Sequence, residues 1–317
     1  MKTIKEFLRD LPSIYISLLL LVMLTVILYI GNSSFLSVYN LKTIASATAI
    51  LLAVGLGQTT VILTGGVDLS VGGIMSLISV VYMLSVTKFG LLGFPIALLA
   101  GCAAGLLNGL IFTKLRIPSF VTTLGTGGIF VSLTYLLSAG PLAAPYRIHK
   151  YLDVINGSVF GLKNSWIVGL LAFAAFFLIQ KYMYVGRTIY AIGSNEKMSW
   201  MSGLDVERSK LLAFMLSGIG AGLSGIILSS NLYSGYATLG DVYVLESIAV
   251  VVVGGTALTG GAGGALNTLV GALIMSMLKN GMTVVGIDVY AQQTFLGVLI
   301  VIAVAITFDR SKLLIIK

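Results

Sequence analysis

Charged side chains are scarce in this sequence of 317 residues, since Asp, Glu, Lys and Arg make up only 9% while 57% of the chain is hydrophobic. A water-soluble protein needs about 25% charged residues to cover its surface, so this composition excludes a soluble fold. Backbone groups in lipid must pair within the protein, which leaves helices or a closed barrel. The apolar stretches run for about 20 residues without period-two alternation, so we predict an all-α polytopic integral membrane protein.

Residues that serve redox, metal and acid–base chemistry are also few. Cys102 is the only cysteine and His149 the only histidine, so disulfides are excluded and metal sites built on Cys or His are disfavoured. The phosphate-binding motif G-x-x-x-x-G-K-[ST] does not occur, and neither does H-E-x-x-H. We therefore expect no enzyme activity, no metal and no P-loop ATP hydrolysis in this chain.

Glycine, by contrast, is abundant, with 38 residues. Small residues let transmembrane helices approach closely, because lipid supplies no hydrophobic drive between helices. Gly101, Gly105 and Gly109 recur every four residues, and Gly218 with Gly222 repeats that spacing. We interpret both runs as helix-packing faces.

Apolar stretches predict about ten transmembrane helices. They lie at about 14–30, 44–64, 69–86, 91–112, 117–139, 164–183, 209–230, 244–260, 264–285 and 289–307. No small-residue cleavage signature follows the first stretch, so we expect it to be a retained helix. With the N-terminus inside, the inner segments hold 13 Lys and Arg residues and the outer segments hold 5, with Lys279 inside a span. This asymmetry predicts that both termini are cytoplasmic, and we predict one transmembrane domain over residues 1–317.

Two connecting segments are long enough to serve a function. The outer loop, at about 140–163, carries prolines and charges of both signs. The inner loop, at about 184–208, is rich in charge, yet Trp200, Met201 and Leu204 recur in it at near-helical spacing. This pattern predicts a short amphipathic helix at the cytoplasmic face, which either rests on lipid or fills a groove on a partner protein.

The segment Thr64–Gly73, TGGVDLSVGG, places an acid between two apolar runs, with a glycine pair on either side. A charge at membrane depth costs at least ~2.5–3.5 kcal/mol on insertion scales, so it faces a cavity, a partner or a helix end. Asp68 or Ser70 either caps a helix that begins at 69–71 or lies on a turn that lines a transport pathway. Both alternatives stay open.

A second glycine-interrupted stretch spans Gly254–Gly264. Glycine-broken hydrophobic segments in two parts of a chain point to a transport pathway between them. Glu246, in the span before this break, either pairs with a cation or lies at the outer interface. The candidate pathway residues are Gln58, Thr60, Thr64, Asp68, Ser70, Glu246 and Asn280.

Several of these segments resemble one family. Thr64–Gly73 is similar to the TGG-[IV]-DLSVG signature of the ribose, xylose and galactose-type permeases of ATP-binding-cassette (ABC) importers. Matching segments are Ile117–Gly125 (IPSFVTTLG), Gly186–Gly193 (GRTIYAIG), Ala249–Gly261, Thr268–Ala272 and Asn280–Met282. The resemblance covers about residues 35–308 in consistent order. The chain departs from the pattern at Ser194, at Val244, where only Glu246 of an acid pair is kept, and at Asn267, where Gly is common.

The resemblance implies a permease subunit in the inner (cytoplasmic) membrane, working as a homo- or heterodimer. Two cassette ATPase domains at the cytoplasmic face would bind ATP and Mg, leaving this chain without a cofactor, and an extracytoplasmic binding protein would deliver the solute. A monosaccharide is the implied solute, although the family also includes permeases for autoinducer-2, and more distant relatives move nucleosides. A secondary transporter, driven by an ion gradient, is the competing hypothesis.

For a permease of this kind, we predict that the inner loop docks on the ATPase and that the outer loop contacts the binding protein. The expected ATPase-coupling residues are Arg187, Glu196, Met198, Trp200, Met201, Leu204 and Arg208. Arg147 and Lys150 are expected to contact acidic residues of the binding protein, against the alternative of a solvated loop.

Overall fold

The computed structural model describes residues 13–159 and 161–307, and it is mostly α-helical. The α-helices are α1 (Ser13–Gly31), α2 (Val38–Leu63), α3 (Val71–Phe89), α4 (Gly93–Lys114), α5 (Ser119–Leu137), α6 (His149–Asn156), α7 (Asn164–Tyr182), α8 (Tyr184–Ser194), α9 (Glu196–Met201), α10 (Val206–Leu232), α11 (Tyr243–Val253), α12 (Ala265–Val284) and α13 (Val289–Thr307). Six helical segments within the described residues are long and apolar enough to cross a membrane. The prediction of a helical membrane protein with several spans is confirmed.

Four two-residue strands lie in or beside the predicted outer loop. Strand β1 (Leu142–Ala143) pairs antiparallel with β4 (Ser234–Gly235), which follows α10. Strand β2 (Ser158–Val159) pairs antiparallel with β3 (Leu162–Lys163), just before α7. The first pair fastens the outer loop to the end of α10.

Helix α2 forms the centre of the bundle, since its side chains from Thr48 to Leu63 are all buried. It packs against α7, α10, α11 and α12. Its hydroxyl groups bind backbone carbonyls one turn earlier, as when Thr59 donates to the carbonyl of Gly55 at 2.7 Å. The buried threonine hydroxyls of α2 therefore have backbone hydrogen-bond partners in the core.

Both glycine runs are packing faces, as the sequence predicts, and the structure shows that they pack against each other. A Cβ at Gly105 would lie 3.0 Å from the Cα of Gly218, and a Cβ at Gly101 would lie 3.2 Å from the Cα of Gly222. Gly109 approaches the backbone of Leu211 in the same way. Helices α4 and α10 thus meet backbone to backbone, which only glycine permits at these positions.

The structure corrects one predicted helix boundary and the number of short helices in the inner loop. The span expected at 244–260 ends as a helix at Val253, because Gly254 and Gly255 end the regular hydrogen bonding and five glycines between 255 and 264 adopt positive φ. The inner loop holds two short helices, α8 and α9, where the pattern predicts one. Asn195 separates them with extended backbone and caps α9 by accepting from the N–H of Met198 at 3.0 Å.

Candidate transport pathway and coupling surface

The first glycine break lies between α2 and α3, and Asp68 fastens it to α10. This carboxylate is fully buried; Oδ1 accepts from the N–H of Ser70 at 2.9 Å and from its hydroxyl at 2.6 Å. Oδ2 accepts from the hydroxyl of Ser217 at 2.7 Å. Asn108 donates in turn to the hydroxyl oxygen of Ser70 at 2.6 Å. Helix α3 begins at Val71; Ser70, which precedes it, makes no side-chain cap hydrogen bond to the helix, and Asp68 binds the N–H of Ser70 itself.

Gln58, Thr60 and Thr64 are buried within this chain. Thr64 donates to the carbonyl of Val61 at 2.7 Å, and Thr60 Oγ1 lies 3.0 Å from the carbonyl oxygen of Ala213 in α10. Among the described residues, the carboxamide of Gln58 has no hydrogen-bond partner for either of its polar atoms. A buried amide without a partner is unfavourable, so Gln58 differs from the two threonines.

Two hydroxyl groups of α5 hold the chain within the first break. Ser119 accepts from the N–H of Val67 at 3.2 Å, and Thr123 accepts from the N–H of Leu69 at 2.9 Å. Neither residue is among the sequence-based candidates. The signal was present in the IPSFVTTLG segment, whose Ser119 and Thr123 are four residues apart and so lie on one face of a helix.

Glu246 pairs with a cation, which decides between its two alternatives. Its Oε1 lies 2.6 Å from Nζ of Lys279 in α12, and its side chain is only 8% exposed. The Oε2 atom has no partner among the described residues. Asn280, the next residue, exchanges two hydrogen bonds of 2.9 Å with Asn40 in α2. Asp68 and Glu246 therefore belong to separate contact networks in this structure.

The two glycine breaks meet each other directly. The N–H of Gly261, in the second break, donates to the carbonyl of Leu63 at the end of α2, with a length of 3.0 Å. A Cβ at Gly260 would lie 2.8 Å from the amide nitrogen of Gly65. The two glycine-interrupted stretches that the sequence singled out are thus adjacent in space.

Helix α8, at the start of the inner loop, touches both breaks at this contact. A Cβ at Gly193 would overlap the carbonyl oxygen of Leu63 and the amide nitrogen of Gly261. Tyr190 donates its hydroxyl to the carbonyl of Gly263 at 2.8 Å. We call the contact of Leu63, Gly193 and Gly261 the break junction. Sequence reasoning missed Tyr190 and Gly193, although both lie in the GRTIYAIG segment.

The expected coupling residues lie at the surface of the inner loop. Trp200, Met201 and Met198 are 71%, 64% and 57% exposed. Leu204 is partly exposed, and the charged residues Arg187, Glu196 and Arg208 are exposed. Trp200 and Leu204 line a groove of about 580 Å³ beside the loop that joins α4 to α5. Large apolar side chains grouped around a groove are typical of a protein-binding surface.

The outer loop exposes Arg147 and Lys150 and is held from beneath. Tyr233, at the end of α10, donates its hydroxyl to Asp153 of α6, and this hydrogen bond raises the pKa of Tyr233. The His149 ring packs against that of Tyr233, with centroids 4.5 Å apart and planes tilted by 35°, and its Nε2 lies 3.1 Å from the carbonyl oxygen of Ala144. His149 therefore supports the loop. In the part of the chain that the structure describes, no cluster of three His, Cys, Asp or Glu residues could hold a metal ion.

Comparison with known proteins identifies the family. Residues 40–304 match the family described as "Branched-chain amino acid transport system / permease component". The chain belongs to this permease family. It is 36% identical over 295 residues to the ribose import permease protein RbsC of Bacillus subtilis, a match that covers 92% of this chain and 91% of the relative.

Other relatives of the permease carry different sugar names. The fructose import permease protein FrcC of Rhizobium meliloti is 31% identical, with 96% of this chain and 88% of the relative covered. The D-allose transport system permease protein AlsC of Escherichia coli is 30% identical, with 88% and 86% covered. A solved structure described as an inward-facing, metal-chelate type ABC transporter shares the fold at a TM-score of 0.51 and 20% identity, covering 93% of this chain and 95% of that one.

Proposed function

We propose that this chain is the membrane-spanning permease subunit of an ABC importer that moves a monosaccharide or a similar small polar solute. The observation that carries the proposal is the match, over nine-tenths of both chains, to a ribose import permease. Fructose and D-allose permeases match over similar lengths, which supports a monosaccharide as cargo. We propose a class of solute and not one sugar, because the names of these relatives refer to different sugars.

The permease forms one domain over residues 1–317, with about ten helices crossing the inner membrane and both termini in the cytoplasm. The placement of Lys and Arg supports this topology. It puts α8 and α9 at the cytoplasmic face and α6 outside. The paired glycine breaks and Lys181, at the end of α7, then lie toward the cytoplasm.

Two cassette ATPases, which bind ATP and Mg, dock on the inner loop of a permease dimer. The side chains of Met198, Trp200 and Met201 support this assignment, because more than half of the surface of each is exposed. Leu204 completes the apolar surface, and Arg187, Glu196 and Arg208 form its rim. A binding protein delivers the solute outside, where Arg147 and Lys150 are exposed.

The break junction carries ATPase movement to the pathway. Helix α8 belongs to the docking loop, and it contacts the ends of both broken helices through Gly193 and Tyr190. A movement of α8 toward the breaks therefore displaces Leu63 or Gly261. Protein interiors are close-packed and have low compressibility, so a contact of this kind transmits the movement of one helix to the next.

The candidate pathway residues stay Gln58, Thr60, Thr64, Asp68, Ser70, Glu246 and Asn280, and the geometry favours some of them. Gln58 and Glu246 have buried polar atoms that find no partner among the described residues, and a solute hydroxyl or water would satisfy them. Thr60 and Thr64 already bind carbonyls, so they suit a packing role.

The test is co-expression with a cassette ATPase and a ribose-binding protein, followed by purification and an ATP hydrolysis assay. We expect the ATPase to co-purify with the permease and the rate of ATP hydrolysis to rise when ribose-loaded binding protein is added. A chain that purifies alone and takes up ribose in response to an ion gradient would identify a secondary transporter instead.

A further inference from the structure

A cavity of about 460 Å³ lies between α1, α7, α8 and the start of α12. A water molecule occupies about 30 Å³ in the liquid, so the cavity has room for a group of many atoms. Ile14 and Phe177 form an apolar side, while Gln180, Lys181 and Asn267 contribute polar side chains. This cavity contains none of the candidate pathway or docking residues.

The start of α12 gives the cavity a positive end. Gly264 precedes this helix of 20 residues and makes no side-chain cap hydrogen bond. The N–H groups of Leu266 and Asn267, in the first turn, have no carbonyl one turn earlier to bind. Such N–H groups and the helix dipole together attract anions.

Gln180 supplies an independent sign of a ligand. Its side chain is 4% exposed, and its Oε1 accepts from the N–H of Ala265 at 2.7 Å. That hydrogen bond fixes the orientation of the amide and holds Nε2 beside the start of α12. Nε2 has no partner among the described residues, so a buried donor is left free at the same place.

The charges and hydrogen-bonding groups around the cavity select an anion. Lys181 adds an ammonium group, which lies 5.3 Å from the ring centroid of Phe177. No acidic side chain lines the cavity within the described residues. Two acceptors at the cavity are already used, since the carbonyl of Gly263 accepts from Tyr190 at 2.8 Å and Gln180 Oε1 accepts from Ala265. The Nε2 of Gln180, the N–H groups of the first turn of α12 and the ammonium of Lys181 match a phosphate.

We propose that this cavity binds the phosphate group of an anionic phospholipid of the inner leaflet. The inference rests on the proposed topology, which puts the end of α7 at the cytoplasmic side, where anionic lipids attract basic residues. The apolar side formed by Ile14 and Phe177 accommodates the lipid beyond its phosphate. A bound lipid contacts α12 next to Gly263, and so it also stabilises the break junction.

Native mass spectrometry of the permease, purified in its complex, measures the lipid that it retains. Phosphatidylglycerol is expected to be retained over phosphatidylcholine. Gln180→Glu keeps the acceptor for Ala265 and replaces the free donor by an acid, and Lys181→Glu reverses the cation. Each variant is expected to lower phosphatidylglycerol retention about fivefold or more. Lys88→Glu is the matched control, because Lys88 also ends a helix beside an aromatic ring but lies on the outer side, and it is expected to retain the lipid.

A thermal-unfolding assay separates a lipid from free phosphate. Short-chain phosphatidylglycerol is expected to raise the melting temperature of the wild type but not of Lys181→Glu, and inorganic phosphate at the same concentration is expected to have little effect. Equal stabilisation by inorganic phosphate would overturn the lipid assignment. Equal lipid retention by wild type, Gln180→Glu and Lys181→Glu would overturn the site itself. Both assays measure binding and need no transport, so their failure is distinct from failure of the proposed function.

Discussion

Substituting alanine for Gly193 tests the break junction by adding a single methyl group. That group would overlap the carbonyl oxygen of Leu63 and the amide nitrogen of Gly261, both of which are backbone atoms. Neither atom can move aside by changing a rotamer, so a helix end must shift. Gly193→Ala is therefore expected to separate α8 from one or both glycine breaks.

The size of the effect follows from these contacts. Overpacking a close-packed interior costs about 1–3 kcal/mol. Loss of the 3.0 Å hydrogen bond from Gly261 to Leu63 adds about 0.5–1.5 kcal/mol. The overpacking cost alone, about 1–3 kcal/mol, corresponds to a shift in population of about 5- to 150-fold between two conformations. We expect a comparable reduction in the amount of solute moved per ATP hydrolysed.

The assay measures ATP hydrolysis and ribose uptake in the same proteoliposomes. Gly193→Ala is expected to keep its ATPases, since Trp200 and Met201 are unchanged, and to hydrolyse ATP with little uptake. Gly128→Ala on α5 is the control, because a Cβ there would meet nothing within 4 Å. Normal uptake per ATP by Gly193→Ala would refute the role of the junction, and loss of assembly would show that Gly193 serves folding alone.

Three further predictions concern the other sites. Trp200→Ala removes the most exposed anchor of the docking surface, whose burial contributes about 1.5–3 kcal/mol, so less ATPase should co-purify; full co-purification would contradict the assignment. Glu246→Gln leaves Lys279 without its partner and is expected to lower the melting temperature, and adding Lys279→Met should restore much of it; no change in the single variant would show that the pair contributes nothing. Charge reversal of both Arg147 and Lys150 should weaken stimulation by the binding protein more at low than at high ionic strength, and an equal loss at both would indicate another cause.

The helical membrane fold and the positions of most helices could be predicted from the sequence, because hydrophobic runs of membrane length have few alternative structures. The packing of Gly101 and Gly105 against α10 was predictable for the same reason, since a glycine stripe has little other use in lipid. The end of α11 at Val253 was harder to predict, because Ala257 and Leu258 continue the apolar composition past Gly254 and Gly255. Positive φ at the glycines that follow is set by tertiary contacts.

The partners of the site residues could not be predicted. Asp68 binds Ser217, which is 149 residues away in the chain, and nothing in the local spacing indicates that contact. Tyr190 and Gly193 stand in a recognised motif, yet the motif does not say that they touch Gly263 and Leu63. The exposure of Trp200 and Met201 was easier to predict, because their amphipathic spacing indicates an apolar surface in a charged loop.

Ribose uptake into proteoliposomes is the direct test of whether this chain is the permease of an ABC importer. The vesicles contain the permease, its cassette ATPase and enclosed ATP with Mg, and ribose-loaded binding protein is added outside. We expect uptake that requires ATP, the ATPase and the binding protein together. Uptake by the permease alone, driven by an ion gradient and unaffected by ATP, would contradict it.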